Sequence, residues 1–162
     1  MRQQGATLLQ IMTTLALIGV LLQLGAPAYA TFTADLHQAA TARDLAQTLR
    51  SARSHAMLQN HEVLVRPLED DWGRGWRMQR AHDGHVLRER RQLRPVHIVA
   101  NMTQVTFSGL GVPRRGNGAF FGGAWQVCPK NKGASHHQVA LAPSGRVSLR
   151  TEAVAPPGCR AG

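Results

Sequence analysis

The sequence predicts an α+β fold: one long N-terminal helix, half in a membrane and half packed on a globular head, followed by an antiparallel β-sheet domain. Three observations predict it. No charged side chain occurs between Arg2 and Asp35. From about Thr33 to Asn60, apolar residues recur at three- and four-residue steps. From His61 onward the texture changes to short β-type runs broken by Gly, Pro and Asp.

Taken in order, Leu8 to Leu24 is apolar apart from Gln10, Thr13, Thr14 and Gln23. At a rise of about 1.5 Å per residue this stretch spans a bilayer. Three readings compete for it. A conventional export signal would be cut at the small-x-small ending Ala28-Tyr29-Ala30 and release a soluble protein. A plain signal anchor would keep the whole chain. The third reading is a very short, polar, basic leader, Met1 to Gly5, cut before the apolar stretch.

The second half of the helix carries Leu36, Ala39, Ala42, Ala46, Leu49, Ala52 and Ala56 on one stripe, with Arg43, Gln47, Arg50 and Ser54 mostly off it. Asn60 is the expected stop. Strands are expected near Glu62–Arg66, Trp76–Arg80, His85–Arg90, Val96–Val99, Gln104–Ser108, Ala124–Cys128, Gln138–Ala142 and Arg146–Thr151. Asp83-Gly84 and Pro143-Ser144-Gly145 read as turns, and Gly109–Gly123 as a mobile loop. The domain boundaries expected are a leader at 1–5, a transmembrane helix at 6–30, the rest of the helix at 31–60 and the β-rich head at 61–162.

A chain of 162 residues supports one modest domain beside a membrane segment. Its net charge is +10, with 17 Arg and only Lys130 and Lys132 as Lys. The excess is lopsided, because eleven basic residues after Gly84 face only Glu89 and Glu152. That half is either a solvated basic face or a surface for a phosphate-bearing or anionic partner. Cys128 and Cys159 are the only thiols. Neither has zinc-ligand spacing, and an export signal would carry both to an oxidising compartment, so a disulfide is expected between them.

Met1-Arg2-Gln3-Gln4-Gly5 followed by Ala6-Thr7-Leu8-Leu9 resembles the start of the type IV pilin superfamily. The resemblance implies cleavage after Gly5 by a prepilin peptidase and N-methylation of Ala6. Gly19 and Pro27 also stand where many pilins loosen this helix. One departure is Gln10, where most pilins carry a Glu that is thought to meet a neighbouring subunit's N-terminal amine. A subunit without that carboxylate suits a filament tip, where no neighbour lies above it.

Within the superfamily the chain resembles the FimT/GspH type of minor pilin and pseudopilin. The matching features are Arg53-Ser54-His55-Ala56 leading to Asn60, Val63-Leu64-Val65, Trp72 with Gly75-Trp76, and Ser144-Gly145-Arg146-Val147. The resemblance implies a non-enzymatic subunit in the inner membrane, single-pass, with its head in the periplasm or at a filament tip. Its implied partners are other minor pilins or pseudopilins of a type II secretion system or type IV pilus. No cofactor is implied.

In the FimT type a terminal Gly-Arg-x-Arg sequence is associated with DNA binding during natural transformation. This chain supplies Gly145 and Arg146 but has Ser148 in place of the second Arg. Residues 146, 148 and 150 share one face of a strand, so Arg150 continues the same surface. A Cys128–Cys159 bridge would bring Lys130, Lys132 and Arg160 toward it, with Arg114 and Arg115 reaching in from their loop. DNA is thus the alternative partner.

Other clusters read as structural. His82 and His85 are expected to face each other across a hairpin. His136 and His137 point to opposite faces of a strand, so no converging metal site is expected. Glu69-Asp70-Asp71 lacks the ordered spacing of a calcium loop and reads as an acidic turn. Trp72 and Trp76 are expected to stack side by side as a hydrophobic anchor. No nucleophile elbow, P-loop or catalytic triad pattern is present, so an enzyme is the least expected class.

Overall fold

The computed structural model describes residues 8–114, 121–129, 136–152 and 157–159. Helix α1 runs unbroken from Leu8 to Gln59, 52 residues, with Pro27 inside it. It contains a stretch long and apolar enough, by length and composition, to cross a membrane, and none of that stretch is buried. From Ala39 the helix enters the core: Ala42, Leu45, Leu49, Ala52 and Ala56 are fully buried. Leu36, expected on that stripe, is half exposed. Asn60 ends the helix with φ 50°, and His61 N–H returns to the Ala56 carbonyl at 3.3 Å, a Schellman-type closure of the orphan carbonyls.

Nine strands follow: β1 (Val63–Leu68), β2 (Asp71–Arg80), β3 (Val86–Arg91), β4 (His97–Ala100), β5 (Val105–Phe107), β6 (Pro113–Arg114), β7 (Gly123–Cys128), β8 (His136–Leu141) and β9 (Val147–Glu152). They form two antiparallel sheets, ordered β3-β2-β1-β5-β6 and β4-β7-β8-β9, and α1 packs against both. A short 3-10 turn, Pro157–Cys159, closes the described chain.

Two stretches of the head depart from the expected strand pattern. Strand β2 begins at Asp71, five residues before the expected Trp76. Leu68 pairs with Asp71 across Glu69 and Asp70, both with positive φ, which is the backbone of a two-residue hairpin turn. The Gly-containing stretch at 73–75 is not a break in the strand. A side chain at Gly73 would collide with the Val96 carbonyl, so glycine there allows the second sheet to approach. Likewise, the expected loop after Gly109 contains β6, paired with β5 through Thr106 and Phe107; residues 115–120 lie outside the described residues.

The core is a joint between helix and sheets. Trp72, expected to stack on Trp76, instead meets Trp125 edge to face at 5.4 Å between ring centroids. Trp76 turns to the helix, where its indole N–H donates to Thr48 Oγ1 at 2.9 Å. Cys128 and Cys159 are disulfide-bonded, which fastens the 3-10 turn beside β7.

Candidate functional site

The basic residues fall into two groups that differ in how their charge is met. On β2 and β3 they are largely matched. Arg77 pairs with Glu89 at 2.7 Å, Arg90 with Asp44 at 2.7 Å, Arg91 with Glu69 at 3.4 Å, and Arg74 also with Glu69. Hydrogen bonding from Arg74 holds the Glu69 carboxyl below its usual range. This ladder is a solvated, charge-balanced face.

The second group surrounds the β8–β9 hairpin. Gly145 N–H donates to the Ala142 carbonyl at 2.8 Å, and Ala142 N–H to the Arg146 carbonyl at 2.9 Å. Gly145 has φ 81°, and any side chain on it would collide with the Gly111 carbonyl. Glycine therefore lets the hairpin touch the β5–β6 connection of the other sheet. Helix α1 completes the junction: Arg53 Nε donates to the Gly111 carbonyl at 3.1 Å and Arg50 Nη2 to the Val147 carbonyl at 3.2 Å.

Between them lies a hollow of about 260 Å³ lined by Arg50, Arg53, Ser54, Met57, Gly145, Arg146 and Val147. It contains three guanidinium groups and no carboxylate. Among the described residues, no ion pair involves Arg50, Arg53, Arg146 or Arg150. A planar, permanently charged fork suits phosphate or carboxylate oxygens, so the hollow can hold an oxyanion.

Arg146 is the residue immediately before β9. Val147 and Leu149 pack toward the core, which turns Ser148 and Arg150 to the outer face of this edge strand. Arg150 is opposite Gln138 and exposed, about 13 Å along the strand from Arg146. Arg114 pairs through its backbone with Thr106 and is half-buried, three residues beyond Gly111. Arg115, Lys130, Lys132 and Arg160 lie outside the described residues, as do Gly5 and Ala6. Arg50 and Arg53 were missed as ligands. Helical periodicity puts Arg50 on the solvent side, and nothing in the local sequence says that a hairpin almost a hundred residues later will close over it.

Among the described residues, no group of three or more His, Cys, Asp or Glu is arranged to hold a metal ion. His82 has its edge-to-face contact with His61, at 5.9 Å, and not with His85. His136 and His137, on opposite faces of β8, are both buried. His137 lies between Thr151 Oγ1 and Asp35 Oδ1, each at 3.3 Å, tying the helix to the second sheet. Burial pushes the His136 imidazole pKa down, with Glu152 opposing and His137 adding to the shift. Gln10 is exposed in α1, and its carbonyl accepts from the hydroxyls of Thr13 and Thr14.

A long helix with a bare apolar half and a head of antiparallel sheets is the type IV minor pilin fold. The chain belongs to the Type II transport protein GspH family, whose model matches residues 41–145. Among solved structures it is similar to the type IV minor pilin FimU of Pseudomonas aeruginosa. One crystal form of FimU superimposes with a TM-score of 0.64 at 23% identity, covering 79% of this chain and 98% of FimU. A second form gives 0.57 at 22% identity, covering 74% and 98%. No curated protein sequence matches this chain.

Proposed function

We propose that this chain is a non-enzymatic minor pilin or pseudopilin, cut after Gly5 and methylated at Ala6. In this reading it is anchored in the inner membrane by residues 6–30 and serves in starting or capping a filament. The observation that carries the reading is the continuity of α1: one helix is bare and apolar at one end and buried in the head at the other. Such a helix can leave the membrane and pack into a filament without refolding the head. Gln10 supports a tip-proximal place, because an amide cannot supply the charge that offsets a buried amine. The filament serves a type II secretion system or a type IV pilus. Deletion of the gene tests this. Loss of surface filaments or of protein secretion is expected, restored by the wild-type chain but not by one whose Gly5 is replaced to block cleavage. Unchanged filaments and secretion in the deletion strain would contradict it.

A second reading is favoured by one observation, the unbalanced guanidinium groups at the β8–β9 hairpin. In this reading the head captures DNA by its phosphates, with Arg146 and Arg150 as the main contacts. Arg114, Arg115, Lys130, Lys132 and Arg160 flank them. Titration of the protein with random duplex DNA at two salt concentrations tests it. Affinity is expected to fall steeply with salt, and Arg146→Ala/Arg150→Ala should reduce the log–log salt slope by roughly 2. A salt-independent affinity, or an unaltered double variant, would remove DNA capture.

A further inference from the structure

The end of α1 farthest from its bare apolar half carries apolar side chains that the fold does not use. Counted from Pro27 at helical rise, Met57 and Leu58 stand roughly 45 Å along the helix. The β5–β6 turn, closed by Gly111 N–H donating to the Ser108 carbonyl at 2.8 Å, lies on this last helical turn. A Cβ on Gly109 would strike Asn60, and one on Gly111 would strike the Met57 side chain. The two glycines therefore seat the turn directly on the helix end. Leu110, between them, is left 79% exposed, and Leu58 is 83% and Met57 43% exposed.

A single exposed leucine is ordinary, but here the exposed residues gather beside one hollow. Met57 lines the hollow that holds Arg50, Arg53 and Arg146, Leu58 follows it in the chain, and Leu110 precedes the glycine on which Met57 rests. An apolar rim thus stands next to guanidinium groups that no carboxylate meets. Two of those groups are held in place, Arg53 Nε by the Gly111 carbonyl and Arg50 Nη2 by the Val147 carbonyl. Each fork keeps further N–H donors for an incoming acceptor. The phosphate backbone of a duplex would meet the cations but leave the rim uncovered. An acidic peptide segment with apolar neighbours satisfies both.

We propose that this end of the head docks an acidic segment of a second protein, in which apolar side chains flank an Asp or Glu. The carboxylate enters the hollow, and its apolar neighbours cover Met57, Leu58 and Leu110. Charge complementarity selects this occupant: a chain of net charge +10 repels a basic segment, and a neutral apolar one leaves the guanidiniums unmet. The hollow, about 260 Å³, falls below small-ligand clefts of roughly 300–1,000 Å³, which suits one side chain rather than a whole ligand. The tip-proximal reading supplies the setting, since at a tip this face leads the filament and no subunit covers it. Binding itself needs only the hollow and its rim.

The test uses the full chain in lipid nanodiscs and, as probe, a fluorescent peptide with Leu-Asp-Glu-Leu set between glycines. The probe should bind about tenfold more tightly than its Asn/Gln counterpart, the worth of one charge-assisted hydrogen bond. It should exceed a version with serine for leucine by about the same factor. Arg146→Ala, at an exposed position, should shrink the first difference. Leu58→Ser/Leu110→Ser, also exposed and so no threat to the fold, should shrink the second and leave affinity for random duplex DNA unchanged. Equal binding of the acidic and neutral peptides, or of the leucine and serine versions, would overturn the docking site. So would a leucine variant that binds the probe like wild type. Duplex DNA that binds where the acidic peptide does not would assign the hollow to phosphate and overturn the proposal. A mature chain that begins at Thr31 would remove the filament setting but leave peptide binding intact, so the two failures are distinguishable.

Discussion

The indole N–H of Trp76 donates to Thr48 Oγ1 across 2.9 Å inside the core, and the Thr48 hydroxyl in turn donates to the Asp44 carbonyl at 2.9 Å. This is the polar pin between β2 and the helix. Thr48→Val keeps the shape but leaves the buried N–H without a partner, at a cost of about 1–3 kcal/mol. Thr48→Ser should retain most of the stability. Denaturant unfolding of the protein in detergent checks both, and equal stability of the Val variant and wild type would refute the pin.

The Cys128–Cys159 bridge spans a sequence separation of 31 and fastens the 3-10 turn to the second sheet. Chain entropy gives such a loop roughly 3–4 kcal/mol of stabilisation. Cys159→Ser should therefore lower unfolding stability by about that amount under oxidising conditions. Reduction of the wild type should reproduce the loss, and an unchanged midpoint would show that the tail contributes nothing.

His136 sets a pH dependence with a definite sign. Burial depresses its folded pKa below the ordinary 6.5, so the unfolded chain binds more protons in the interval beneath that value. Stability contributed by the neutral ring is full above about pH 6.5 and is lost as pH falls through the interval. The depressed carboxyls of Glu69, through Arg74, and Asp83, through the His85 backbone N–H, respond only at more acid pH. Unfolding measured from pH 8 to pH 5 should show the decline in wild type and a flatter curve in His136→Phe. Parallel curves would refute the assignment.

Gly145 combines φ 81° with contact against the Gly111 carbonyl. Gly145→Ala must strain the backbone and part the two sheets, costing about 1–3 kcal/mol. Thermal unfolding should register it, while Gly84→Ala, at φ 70° with open space around it, isolates the cost of the positive φ alone. Equal losses at the two positions would mean that the sheet contact adds nothing.

Local signals carried much of the fold into the sequence. The uncharged segment and the alanine stripe gave the helix, and Asn60 gave its end, because each depends on neighbours three or four residues away. Alternation placed most strands within one or two residues of their bounds. What stayed hidden was tertiary. Glu69-Asp70 is not a standard hairpin pair, and Gly73 and Gly75 look like a strand break until the second sheet is seen pressing on Gly73. The pairing of Trp72 with Trp125 joins residues more than fifty apart. The candidate anion hollow was half legible: Arg146 stood out beside Gly145, but Arg50 and Arg53 joined it only through folding.

The most direct measurement of the central claim is the mature N-terminus, determined by mass spectrometry on protein recovered from membranes of the source cell. The account predicts a chain beginning at N-methylated Ala6, with the whole apolar helix retained. A chain beginning at Thr31 would mean a conventionally secreted protein without its anchor, and would contradict the filament-subunit reading.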